Sequence, residues 1–450
     1  WQSDKPNVIA NDGTVIRPSY ADGDQVVTLT ATITDGVNTK TRTFTVTVIK
    51  MSPDAQRVKL DKEALTVYNI NDVRGNLTLP TKGANGSEIT WVSSNEAVIT
   101  PTGEVVRPAH GSGDTYVTLT ATITAGNVSD TKIFVAVVRE MPEKEELAGY
   151  LFAYFIGEGY SNGEQIYMAL SKGNDPLHWT ELNSGNPIFT SELGENGVRD
   201  PFIIRSPEGD KFYLIATDLK IYGNGNWDRA QRYGSLYIMV WESTDLVNWS
   251  KQRMVQVSPE VAGCTWAPEA FYDHTTGEYI VFWASKIYPD ESKTGSPNQR
   301  IMYAKTRDFY TFTEAKEYYN PGYSVIDTTM IEHNGKIYRF TKDERGNSSS
   351  SPNGKFIFQE VGDSILGNFR MIKEGIGKGS ISQGEGPTIF KANGEDKWYL
   401  FIDEFGGRGY VPFETTDLDS GNWTMSSNYQ LPSRPRHGTV LPVTATEYER

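Results

Sequence analysis

A single cysteine, Cys264, stands in 450 residues, so neither an internal disulfide nor a cysteine-based zinc site can form, and cysteine pairing says nothing of the redox compartment. No stretch approaches about 18 consecutive apolar residues, which excludes a membrane-spanning helix. The first residues, from Trp1, show no charged stretch leading into an apolar one, so no targeting signal is expected within the sequence. Positive charge is also short. Lys and Arg number 43 against 57 Asp and Glu, a net charge of −14, and such a surface repels phosphate backbones and anionic lipid. Nucleic acid is therefore excluded as a partner, and so is membrane insertion. Helix formers give way to 42 Gly, to Thr-rich runs and to aromatics, which reach 12% with 24 Tyr and 10 Trp. That balance points to short strands and many turns, an all-β protein, and the length suits about three domains.

An internal repeat fills the first third at an offset of 90 residues without a gap. Trp1 matches Trp91, Gly13 matches Gly103, and Val15-Ile16-Arg17-Pro18 matches Val105-Val106-Arg107-Pro108. Val27-Thr28-Leu29-Thr30-Ala31-Thr32-Ile33-Thr34 returns as Val117-Thr118-Leu119-Thr120-Ala121-Thr122-Ile123-Thr124. Strict apolar/Thr alternation is the period of a strand with one buried face. Residues 1–50 and 51–141 are thus expected to be tandem β-sandwich modules, the first cut in half because nothing ahead of Trp1 matches the roughly 40 residues ahead of Trp91, and the chain is expected to be a fragment of something longer. The pattern resembles bacterial immunoglobulin-like domains of the small type appended to extracellular polysaccharide-degrading enzymes, which implies a spacer or display role, with carbohydrate binding as the alternative. Pro142-Glu143-Lys144-Glu145-Glu146 reads as a charged linker.

From Leu147 a looser repeat begins. One phrase runs from Asp200-Pro201-Phe202 to Phe212-Tyr213-Leu214, from Ala267-Pro268-Glu269 to Tyr279-Ile280-Val281, from Asp327-Thr328-Thr329 to Ile337-Tyr338, and from Glu385-Gly386-Pro387 to Trp398-Tyr399. A second phrase closes the units: Ser243-Thr244-Asp245 to Trp249, Thr306-Arg307-Asp308 to Phe312, and Thr416-Asp417 to Trp423. Units of this length, with about four short strands each, cannot bury both faces alone and stack radially as propeller blades. Counting gives five, the last built from His437-Gly438-Thr439-Val440-Leu441 together with strands near Tyr150–Phe155 and Gln165–Ala169. The expected architecture is a five-bladed β-propeller over 142–450.

First strands of propeller blades line the central channel, so Asp200, Asp327 and Glu385, which open phrases in three units, are expected in equivalent positions around one axis. Carboxyl groups crowded in a cavity repel unless one pKa rises, and a carboxyl kept protonated near neutrality is a general acid. Glycosidic hydrolysis needs one such acid and a second carboxylate to activate water or to attack.

These residues resemble glycoside hydrolase family 43, through Arg199-Asp200-Pro201, Trp266-Ala267-Pro268-Glu269, Ile326-Asp327-Thr328-Thr329, Glu385-Gly386-Pro387 and Arg436-His437-Gly438. The resemblance implies a five-bladed propeller cleaving α-L-arabinofuranosides, β-D-xylosides and related plant-wall linkages with inversion. It implies Asp200 as general base, Glu385 as general acid and Asp327 as the group that orients the acid and tunes its pKa. An inverting pair holds its carboxyls about 6.5–9.5 Å apart. Thr328 departs from the family, which usually has Pro there. Arg199-Asp200-Pro201 also resembles a phrase of retaining fructan-cleaving propellers, but their flanking N-D-P and E-C motifs are missing.

By the same resemblance His437 sits near a channel metal, commonly calcium, bound largely through water and structural rather than required for the chemistry. Arg408, on a Gly-rich loop, is a candidate to reach substrate or acid; Trp266 and Glu269 are candidates at the channel mouth, and Trp227 at a pocket rim. The reading is an extracellular bacterial enzyme that removes α-L-arabinofuranosyl units from plant polysaccharides or oligosaccharides. A β-D-xylosidase or galactan-acting enzyme of the same fold, and a non-catalytic carbohydrate-binding propeller, are the alternatives.

Overall fold

The Thr-alternating runs form strands with the repeat's register. Gln25–Thr34 pairs antiparallel with Thr39–Val48, and Thr115–Ala125 with Val128–Val138; Ala31 faces Arg42 as Ala121 faces Lys132. The computed structural model describes residues 1–450 and contains two units, Trp1–Glu140 and Met141–Arg450. In the first unit each module contributes one three-stranded sheet, completed by Gln2–Ser3 or by Glu88–Ser93. Where a sandwich of two sheets was expected for 51–141, the buried face of the single sheet, with Trp91, Val117, Leu119, Ala121 and Ile123, is covered by helix Pro53–Ala64 and an irregular segment carrying Leu65, Val67, Val73, Leu77 and Leu79. Pro80, Gly83 and Gly86 break that segment, which meets strands only through isolated bridges such as Val73 to Val138. The helix starts where Ser52 accepts a hydrogen bond from the Ala55 amide, with Pro53 in the first turn. The matching face of the first module is covered only in part, around Val8, Ile9, Val27 and Val48, and Trp1 is 66% exposed against 8% for Trp91.

The second unit has five four-stranded antiparallel sheets. Their innermost strands are Val198–Arg205, Trp266–Asp273, Val325–His333, Glu385–Lys391 and Arg436–Thr444. Each touches the next and the last touches the first, so the five form a closed ring. The fifth sheet joins both ends of the unit, because Arg436–Thr444 pairs with Leu147–Phe155. Sheets buried on both faces need continuous apolar strands rather than alternating ones. Leu147–Phe155 shows why: Leu151 and Ala153 pack toward the first sheet, while Phe152 and Tyr154 pack toward the fourth. Similar cores fill the other three gaps. The closing phrase is a repeated turn. Ser243 Oγ accepts the Leu246 amide while Asp245 accepts those of Val247 and Asn248; Thr306 and Asp308 do the same for Phe309, Tyr310 and Thr311.

Candidate active site

All five innermost strands are bulged at the same place. Pairing with the second strand slips by one residue between Arg199 and Phe202, Trp266 and Glu269, Ile326 and Thr329, Glu385 and Thr388, and Arg436 and Thr439. The bulge residue is Asp200, Ala267, Asp327, Gly386 or His437, and the first four have φ of +53°, +50°, +57° and +52°. Left-handed backbone at a non-glycine residue costs of order 1–3 kcal/mol and persists only when the surroundings enforce it. Here the bulges bring the Asp200 and Asp327 carboxylates, both on left-handed backbone, against the His437 imidazole. His437 Nδ1 lies 3.4 Å from Asp200 Oδ1 and 3.9 Å from Asp327 Oδ1.

Glu385 does not share that position. It precedes the bulge by one residue, in register with Arg199, Trp266, Ile326 and Arg436. The three acids are thus not equivalent by repeat, contrary to the sequence expectation; Asp200 and Asp327 are, and their quasi-symmetric partner in the last strand is His437. Glu385 still belongs to the cluster, since the amide of its neighbour Gly386 donates to Asp327 Oδ2 at 3.0 Å.

Each acid is fixed differently. Thr217 donates to Asp200 Oδ2 at 2.8 Å and accepts the Ala267 amide at 2.8 Å, tying the first sheet to the second. Lys342 donates to Glu385 Oε2 at 2.7 Å, and Arg436 to Glu385 Oε1 at 3.1 Å. Arg436 also binds buried Asp403 through Nε at 2.6 Å and reaches Glu158, which in turn pairs with Arg199. Thr217, Lys342 and Asp403 occupy one register position on the second strands of their sheets. Lys342, Asp403 and Glu158 escaped sequence reading. For Lys342 and Asp403 the signal was a charged residue closing an otherwise apolar strand, as in Phe340-Thr341-Lys342-Asp343 and Phe401-Ile402-Asp403-Glu404; Glu158, in the loop after Leu147–Phe155, carried none.

Burial and neighbouring charge divide the protons unevenly. Burial pushes Asp327 up to about 7, with the Glu385 charge adding to the rise and His437 opposing it. Burial likewise raises Glu269 to about 7 and Asp403 to about 6. Glu385 is as buried, but Lys342 and Arg436 overcome the desolvation and hold it near 2. Burial alone would depress His437; Asp200 and Asp327 reverse this and lift it to about 9. The resting site therefore combines an imidazolium and an ionised Glu385 with carboxyls at Asp327 and Glu269 that burial makes hold their protons to higher pH than ordinary carboxyls do.

A family model described as a probable glycosyl hydrolase domain, of the family 43-related type, matches residues 145–449. The chain belongs to this glycosyl hydrolase 43-related family. An atrophied bacterial Ig domain model matches residues 1–51 and 58–141 of the same family 43-related chain. An α-L-arabinofuranosidase of Bifidobacterium longum subsp. longum is 31% identical over 526 residues, covering 98% of this chain and 48% of that protein, so the chain spans about half the length of this curated relative. Among solved structures, a thermostable family 43 glycoside hydrolase shares 18% identity over 54% of this chain and 77% of that one, with a TM-score of 0.37. A family 43 β-1,3-galactosidase with galactodeoxynojirimycin shares 14% over 76% and 99%, with a TM-score of 0.41.

The remaining candidates of this family 43-related chain divide. Trp227, 39% exposed, lies 5.2 Å from the Arg199 guanidinium and edge-on to Trp266 at 6.1 Å. Trp266 is half-buried beneath that loop, against Leu219, Ile221 and Ala230. Glu269 is not at the mouth: it is 2% exposed, with Oε1 3.8 Å from His437 Nε2, because it falls two residues past the bulge position and turns inward. Arg408 does not reach the acid. It is held by Glu404 and the Ser380 carbonyl, which pins its Gly-rich loop instead. Direct protein ligation of calcium at His437 does not fit: a hard cation takes about six to eight oxygen ligands, and no group of three or more His, Cys, Asp or Glu is placed to hold a metal. The ion expected near His437 is one held largely through water, which needs no such group.

His437 makes stability depend on pH. Its pKa is raised from 6.5 to about 9 in the folded chain, so between those values the folded state binds more protons than the unfolded state. Its contribution is complete below about pH 6.5 and is lost as pH rises through about 9. Melting temperature is expected to fall across that window, and His437→Gln to flatten the fall; an unchanged slope in the variant would remove His437 as the cause.

Proposed function

We propose that this chain is an inverting glycoside hydrolase that releases α-L-arabinofuranosyl residues from plant cell-wall polysaccharides or oligosaccharides outside the bacterial cell. Its ring of five sheets is read as a five-bladed β-propeller that follows, in chain order, one Ig-like module over 1–50 and a second over 51–141. The observation that carries the proposal is the meeting of Asp200, Asp327 and Glu385, from three different sheets, around His437 and Gly386. The α-L-arabinofuranosidase activity of the Bifidobacterium longum relative supports the sugar.

In this mechanism Asp200 takes a proton from water as the water oxygen bonds to the anomeric carbon. The glycosidic C–O bond breaks, its electron pair goes to the leaving oxygen, and Glu385, a carboxylate at rest that takes up a proton from solvent before this step, supplies that oxygen with it. Asp200 ends protonated and Glu385 ionised; Asp200 returns its proton to solvent, and Glu385 takes up another for the next turnover. Thr217 and His437 orient Asp200. Asp327, anchored by the Gly386 amide, holds a proton beside Glu385 near neutrality. Trp227 and Trp266 offer ring faces and edges for the sugar at the rim.

Aryl α-L-arabinofuranoside, β-D-xyloside and β-D-galactoside, incubated separately with the chain and followed by proton NMR, test the proposal. The expected result is preferential arabinoside turnover with the β-anomer of arabinofuranose appearing first. First appearance of the α-anomer would exclude inversion, and turnover of none of the three would favour a binding module.

A further inference from the structure

Glu385 is gripped by two cations, and one of them has a second place to go. Lys342, on strand Lys336–Asp343, has a side chain only 2% exposed. Its Nζ lies 2.7 Å from Glu385 Oε2, 2.8 Å from Glu344 Oε2 and 4.3 Å from the centroid of the Phe405 ring. A buried ammonium must keep a carboxylate partner, since an unpaired buried charge is strongly destabilising. Lys342 has two such partners at nearly equal distance, so it can release one without being left alone. Glu344 is 27% exposed and also pairs with Lys355, which anchors it on the solvent side. The other cation, Arg436, is shared among three carboxylates, Glu385, Asp403 and Glu158.

We propose that Lys342 is a positioning residue of the hydrolytic reaction: by dividing its ammonium between Glu385 and Glu344 it orients the Glu385 carboxyl and decides when that carboxyl can carry a proton. The inference rests on Glu385 as the proton donor. Paired with Lys342, Glu385 is a carboxylate with nothing to donate. Once the ammonium turns to Glu344, Glu385 keeps only Arg436, whose charge Asp403 already shares, and can take up a proton. The charges facing Glu385 are Lys342, Arg436 and Arg199 on one side of the balance and Asp327 and Asp403 on the other; those facing Lys342 are Glu385, Glu344 and Asp327.

Two substitutions move this balance in opposite directions. Lys342→Met removes the cation at similar length, so Glu385 holds its proton to higher pH. Glu344→Gln removes the competing anion, commits Lys342 to Glu385 and makes Glu385 lose its proton at lower pH. The readout is the pH profile of kcat/KM on aryl arabinofuranosides with good and poor leaving groups, with Glu385→Gln alongside. The basic limb is expected to rise by about 1 pH unit or more in Lys342→Met and to fall in Glu344→Gln, with rate changes concentrated on poor leaving groups, which need the acid most. A lysine that only fills space would not give opposite shifts. Should Lys342→Met fail to fold, the downward shift in Glu344→Gln, which leaves the Lys342–Glu385 pair intact, still decides. Loss of poor-leaving-group turnover in Glu385→Gln with a stationary basic limb in Lys342→Met and Glu344→Gln would overturn this inference alone. Full activity of Glu385→Gln would overturn the assignment beneath it as well.

Discussion

Asp200→Asn and Glu385→Gln are each expected to lower kcat on an aryl arabinofuranoside by about 10²- to 10⁴-fold, the usual contribution of a general acid or base, while circular dichroism and melting stay close to those of the parent. The fold should survive because both changes are isosteric and leave no cation stranded. In Asp200→Asn the new side chain would still accept the Thr217 hydroxyl through its amide oxygen. Without the Glu385 charge, Lys342 retains Glu344 and Arg436 retains Asp403. Leaving-group dependence separates the two roles. The Glu385→Gln defect should shrink with 2,4-dinitrophenolate as leaving group, which departs without a proton, whereas the Asp200→Asn defect should not, because water must be activated in either case. The double variant should lose less than the product of the single losses, as expected for groups acting as a unit. Parent-like rates in either single variant would remove that residue from the mechanism.

Gly386→Ala is the second change with a large expected effect. Its φ is +52°, and an added Cβ would lie 2.5 Å from His437 Cγ and 2.6 Å from His437 Cβ. Left-handed backbone costs an alanine about 1–2 kcal/mol, and the clash must be relieved by moving either His437 or the strand. The same backbone presents the amide held by Asp327 and the carbonyl that accepts the Tyr410 hydroxyl at 2.6 Å. One methyl group therefore disturbs the imidazolium, the Asp327 anchor and the bearing of Glu385 together. Displacements of about 1 Å in such sites cost about 10²-fold, so kcat/KM should fall at least that far. Gly394→Ala provides the control, since its φ is +76° but no atom lies within 4 Å of the added Cβ; it should destabilise slightly and leave kcat/KM intact. Equal effects of the two substitutions would mean that backbone strain, not the approach to His437, is responsible.

Much of the second unit was legible because apolar strands and turn phrases recur, and the joining of both ends in one sheet followed from an incomplete last repeat. Register was harder. Reading each phrase from its first acid put Glu385 level with Asp200 and Asp327, whereas aligning the following residues, Pro201, Pro268, Thr328 and Pro387, would have placed Gly386 there. The bulge decides the matter, and a bulge is a property of pairing between strands, invisible along one strand. Lys342 and Asp403 were missed for a related reason: they matter through what stands opposite them. Arg408 erred the other way, since a Gly-rich loop near the acid in sequence is tied off by Glu404 before it reaches the acid in space. Helix Pro53–Ala64 was overlooked beside the Thr-rich runs, although Ser52 and Pro53 mark its start.

The joining of Arg436–Thr444 to Leu147–Phe155 bears on biosynthesis. Arg436 and His437 ride on the last segment of the ring in chain order, so a nascent chain holding the first four sheets has the carboxylates with Lys342 and Arg199 but lacks the guanidinium and imidazolium that complete the balance. Gathered short of two counterions, Asp200, Asp327 and Glu385 would push one another apart, and docking of the final segment both seals the circle and relieves that repulsion. Maturation of the architecture and the onset of chemical competence are then a single event.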